Sequence, residues 1–129
     1  MGVKRVLPAY QLIPNAGDPT RAGFPPVSGA MTGTSTITSN ATNIEFMDNI
    51  GFQVLWTGTP VGNFYVFCSI DGINYIALTF APALGMPAGV PGGFLINLQQ
   101  LPYPWIKFQY INTSGSGTLS VYICGKDVN

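Results

Sequence analysis

Charge is what this sequence has least of. Its 129 residues include five Lys or Arg, five Asp or Glu and no histidine. The charged share is therefore 8%, against about 25% in an ordinary soluble domain. Without histidine, a Ser-His or Cys-His nucleophile pair cannot be built, and a zinc site would have to come from cysteine and carboxylate alone. The two cysteines, Cys68 and Cys124, are too few for a disulfide framework and read as free buried thiols of a reducing cytoplasm. The formal net charge is zero, and Lys4, Arg5, Arg21, Lys107 and Lys126 form no dense run. Nucleic acid, which is bound through basic patches, is not an expected partner.

Long apolar runs are missing too. The stretch between Asp71 and Lys107 carries no charge, but Pro82, Gly85, Pro87, Gly89 and Pro91 interrupt it too densely for a membrane-spanning helix. At the N-terminus Pro8, Asn15 and Asp18 stand where a secretory signal would have its apolar segment. No signal peptide is predicted, and the product is expected to be made and kept in a cytoplasm. The acidic residues Asp18, Glu45, Asp48, Asp71 and Asp127 are scattered through turns and ends, with no spacing that suggests a glycosidase pair. Gly115-Ser116-Gly117 lacks the lysine of a phosphate-binding loop. The chain reads as a non-enzymatic protein with no cofactor and no metal.

What the sequence does have is 16 glycines, 11 prolines and 12% aromatics. Turn residues punctuating β-branched and aromatic stretches predict an all-β fold. Ile50, Phe52, Val54 and Trp56 recur at period 2 and share one face of a strand, with Trp56 in the core. Further strands are predicted over residues 63–69, 75–80, 94–99, 105–112 and 118–125, with a weaker opening near Ile37. Asp71-Gly72 marks a tight hairpin, because glycine adopts positive φ without steric penalty. A long Pro/Gly loop is expected between residues 80 and 93. The economical assembly is an antiparallel β-sandwich of six to seven strands, jelly-roll-like or immunoglobulin-like.

Residues 1–43 differ from the rest. Prolines recur through residues 3–27 with no sustained period of 2 or 3.6, which predicts an extended arm ahead of a sandwich over residues 44–129. Val6, Leu7, Tyr10, Leu12, Ile13 and Phe24 are too apolar for a solvated tail, so the arm is expected to lie against its own domain, a sister subunit or a larger partner, and the six are assigned to intersubunit contact. Tyr103 and Trp105, flanked by Pro102 and Pro104, are candidate contact or ligand aromatics. The sequons at Asn40 and Asn112 are chance matches in a chain with no signal peptide.

The segments Trp56-Thr-Gly-Thr-Pro-Val-Gly62, Phe64-Tyr-Val-Phe-Cys-Ser69-Ile-Asp71-Gly72-Ile-Asn-Tyr75, Pro104-Trp-Ile-Lys-Phe-Gln-Tyr110 and Ser114-Gly-Ser-Gly-Thr-Leu-Ser-Val-Tyr122 span most of residues 50–126. Together they resemble small β-sandwich structural proteins of tailed bacteriophage virions, and also discoidin-like binding sandwiches. The phage resemblance implies a capsid decoration (cement) protein or another virion part, present in many copies and bound to the major capsid protein or to itself. With so few charges to blunt its edge strands, the chain is expected to form a homotrimer or homodimer. Its location would be the virion. A carbohydrate- or receptor-binding module, such as a lectin-like domain or phage fibre tip, is the alternative.

Overall fold

The computed structural model of the chain describes residues 6–18, 20, 24–45, 47–79, 87–99 and 102–126. Along it run β1 (Val6–Ile13), β2 (Ala30–Thr32), β3 (Thr36–Thr38), β4 (Thr42–Asn43), β5 (Asn49–Gly58), β6 (Val61–Ser69), β7 (Ile76–Ala77), β8 (Gly92–Leu98), β9 (Trp105–Ser114) and β10 (Ser116–Lys126). They form two antiparallel sheets. The first has the order β1-β10-β5-β8, with β2 also paired to β10; the second has the order β3-β9-β6-β7, with β4 also paired to β9. The chain is an all-β sandwich.

Period-2 alternation builds the interior. On β5, Ile50, Phe52, Val54 and Trp56 are buried while Gln53 and Leu55 face out. Leu119, Val121 and Ile123 of β10 fill the same layer, and Ile106, Phe108 and Tyr110 of β9 meet them from the second sheet. Phe64 sits at the centre of the aromatic packing, with ring centroids 4.9 Å from Tyr110, 5.3 Å from Phe94, 5.4 Å from Trp56 and 5.5 Å from Phe108. Full burial of a side chain of this size contributes roughly 1.5–3 kcal/mol. The expected core position of Trp56 is met, and its indole Nε1 donates to the Val90 carbonyl at 2.8 Å. The β9–β10 hairpin turns on Gly115, whose φ of 71° and closeness to the Thr59 carbonyl leave no room for a Cβ.

Three expectations are corrected. The arm is not separate from the sandwich, because β1 and β2 both pair with β10 and β3 and β4 both pair with β9. The boundary at residue 43 therefore cuts through both sheets. The β1 register shifts between Leu7 and Tyr10 and again between Gln11 and Ile13. Such bulges break the alternation by which a strand is read, and Pro8 is tolerated on an edge. The strand predicted over residues 75–80 pairs only at Ile76 and Ala77, with Phe80 outside the described residues. The Asp71-Gly72 hairpin is wider than two residues, since Cys68 pairs with Ile76.

Candidate interaction surfaces

The six apolar residues assigned to the arm divide between core and surface. Leu12 and Ile13 are 2% and 0% exposed and belong to the molecule's own core. They have no surface left for a partner, which corrects their reading as partner-binding residues. Leu7 and Tyr10 pack half-buried against that core, and the Tyr10 hydroxyl lies 2.6 Å from Thr42 Oγ1. Phe24 is half-buried, and its carbonyl accepts from the Asp18 amide at 2.9 Å. Val6 alone of the six stands largely free, at 64% exposed.

The outer face of the first sheet was not singled out in the sequence. Register sets Tyr122 beside Gln53 and Gln53 beside Leu95; the neighbouring row is Ser120, Leu55 and Gly93, and the next is Cys124, Gly51 and Asn97. Leu95 is 77% exposed, Leu55 44% and Tyr122 37%, all around Gln53. A shallow cleft of about 370 Å³ runs across this face beside Leu95, Asn97 and Tyr122. In these three rows no residue is charged. Single exposed apolar residues are ordinary; here three of them gather about the neutral amide of Gln53, in rows without charge.

The second sheet is different in chemistry. On its outer face the rings of Tyr65 and Phe67 lie 6.4 Å apart, and Lys107 Nζ sits 4.0 Å from the centre of the Tyr75 ring. The loop between β6 and β7 closes on the Asp71 carboxylate. Its Oδ1 accepts from the amides of Asn74 and Ile73 and from the Ser69 hydroxyl, each at 2.8 Å, and Oδ2 accepts from Asn74 Nδ2 at 2.8 Å. These bonds, the Asn74 amide foremost, hold the Asp71 carboxyl well below the usual carboxylate range. Every donor comes from the loop or from Ser69 at the end of β6, so Asp71 holds the loop to the strand. Burial first and the Asp71 charge second push the Tyr75 phenol up.

Tyr103 lines a cleft of about 520 Å³ that runs from Asp71 and Ser69 along Ile76 and Leu78. Trp105 lies under the loop, its indole Nε1 3.0 Å from where a Gly72 Cβ would stand. Both predicted aromatics thus gather at the Asp71 end of the sandwich, half-buried. Trp105 packs against the loop at Gly72 while part of it stays exposed. The thiols separate: Cys68 is buried, and burial pushes it up to about 11, whereas Cys124 is exposed on the opposite sheet's outer face. Among the described residues no three His, Cys, Asp or Glu side chains gather to hold a metal, and no helix is long and apolar enough to cross a membrane.

No family model matches the sequence, and no curated protein matches it. Solved structures do share the fold. The D431N VP2 protein of infectious bursal disease virus, from T=1 particles, superposes with a TM-score of 0.59 at 14% identity over 96% of this chain and 32% of its own. VP2 from a subviral particle of that virus gives 0.54 at 16% identity, over 96% and 32%. The PBSX exported protein XepA gives 0.52 at 12% identity, over 96% of this chain and 37% of its own. This chain spans about a third of the length of these proteins.

Proposed function

We propose that this chain is a non-enzymatic virion structural protein, a capsid decoration protein that docks on the major capsid protein. The observation that carries the reading is the outer face of the first sheet, where Leu55, Leu95 and Tyr122 surround Gln53 with no charge in the three rows. Covering such a face is favourable at ~25 cal/mol per Å² of apolar area, before the cost of ordering is subtracted. Repetition over a symmetric shell multiplies a modest single contact. The shared sandwich fold supports the reading, because VP2 uses it in viral particles. Adding purified protein to particles stripped of it tests the assignment. Wild type should rebind, and Leu55→Lys and Tyr122→Lys should not. Equal rebinding of the charged variants, or no copy of the chain in purified particles, overturns the reading.

A carbohydrate-binding module is the second reading, and a different observation favours it. Tyr65, Phe67 and Tyr75 bring rings to the outer face of the second sheet beside Lys107 and Gln109. Sugars stack on such rings. A glycan array answers this directly: binding abolished by Tyr65→Ala and Tyr75→Ala, with Leu55→Lys unaffected, would move the function to that sheet.

A further inference from the structure

Among the described residues the two sheets have four edges, and three are blunted. β1 carries Pro8 and two register shifts. β3 and β4 pair over three and two residues. On the far side of β6, β7 pairs over two residues at one end, and at the other Ala88 bridges to Val61 and the Gly62 amide donates to the Pro87 carbonyl. Short strands, prolines and bulges of this kind keep an edge from pairing with another chain. The fourth edge, β8, has none of them. It runs seven residues, Gly-Gly-Phe-Leu-Ile-Asn-Leu, without proline, charge or register shift. Among the described residues only β5 pairs with it.

We propose that β8 is an assembly edge: two copies of this chain join β8 to β8, antiparallel about a two-fold axis at Leu95, making one continuous sheet of their two first sheets. The pairing is self-complementary. Leu95 is the middle residue of the strand, so centring the axis there sets it opposite Leu95 of the second copy. Gly93 then faces Asn97, Gly92 faces Leu98, and Phe94 faces Ile96. Each glycine meets a larger side chain and no charge opposes another. Alternation keeps Phe94 and Ile96 toward the interior and leaves Leu95 outside, where the exposed strip of each copy continues into the other. A two-fold arrangement closes, so it leaves no second β8 edge to propagate a fibre. The proposal concerns the sheet edge and stands whether the outer face docks on a capsid or not.

Sedimentation and cross-linking of the full chain test it. In a Cys124→Ser background, which removes the exposed thiol, Leu95→Cys should give a disulfide-linked dimer on mild oxidation. The two Cβ atoms would be about 5 Å apart, near disulfide range. Asn97→Cys, which faces Gly93 instead, should not cross-link with itself. Wild type should sediment as a dimer at micromolar concentration, little changed by salt, and Leu95→Lys should sediment as a monomer with its unfolding temperature kept. A monomeric wild type overturns the proposal, as does a dimer that fails to cross-link through position 95. If Leu95→Lys does not fold, the cross-linking comparison decides alone.

Discussion

On β9 the Tyr110 hydroxyl donates to Asn112 Oδ1 at 2.6 Å, two residues along the same face of the strand, with both side chains buried. Asn112 Nδ2 in turn donates to the carbonyls of Gly33 at 2.8 Å and Gly115 at 3.1 Å, tying two turns to the core. Every buried side-chain nitrogen and oxygen among the described residues has a partner. A polar pair in so apolar an interior is favourable only while that holds.

Tyr110→Phe leaves Asn112 Oδ1 buried without a donor, and should cost about 1–3 kcal/mol. Asn112→Ala, which also frees two turn carbonyls, should cost at least as much. Urea unfolding of both variants measures this. Wild-type stability in Tyr110→Phe would show that the hydrogen bond contributes nothing net.

The N-terminal strand belongs to the folding unit. Leu12→Ala and Ile13→Ala should each destabilise by about 2–5 kcal/mol, as large-to-small changes in a packed core do. Deleting residues 1–13 should leave a chain that does not unfold cooperatively. Thermal melts followed by circular dichroism distinguish this from a dispensable arm, whose removal leaves the melting curve in place.

Acid should loosen the Asp71 loop. The folded carboxyl titrates below its ordinary 3.8, so its contribution is complete above that value and fades as pH falls beneath it. Protection of the Ile73 and Asn74 amides, taken as their hydrogen-exchange rates against those of an unstructured peptide at the same pH, should fall over that range in wild type. In Asp71→Ala protection should be lost at every pH. Gly72→Val should disturb the same loop, since φ is 75° and the new Cβ meets the Trp105 ring; the expected cost is about 1 kcal/mol or more.

The two thiols should differ sharply. Cys124 is exposed and should react with a thiol reagent in the native protein, whereas Cys68, buried and pushed up to about 11, should react only after unfolding. One equivalent of reagent consumed natively and two in denaturant is the expected count. Two consumed natively would place Cys68 in solvent.

Alternation alone made β5, β9 and β10 readable as strands, because each is long enough for period 2 to show. Gly115 was readable as a turn for a similar local reason, since a Gly/Ser run between two apolar stretches has few other uses. β1 was hidden by its own bulges, which shift the buried set from Leu7 to Tyr10 and on to Ile13. Asn112 stands in a polar Asn-Thr-Ser run with no local sign of burial, and its role depends on Tyr110, Gly33 and Gly115, which only the fold gathers around it. The outer strip was out of reach for the same reason. Leu55, Leu95 and Tyr122 are far apart in the chain, and each taken singly is an unremarkable exposed residue. The sequence by itself determined the scarcity of charge, the strand-forming stretches and the face on which each strand is apolar. Only the tertiary structure decided which strands became neighbours, and therefore which edge stayed open and which uncharged residues met, because pairing register is set by contacts between distant segments.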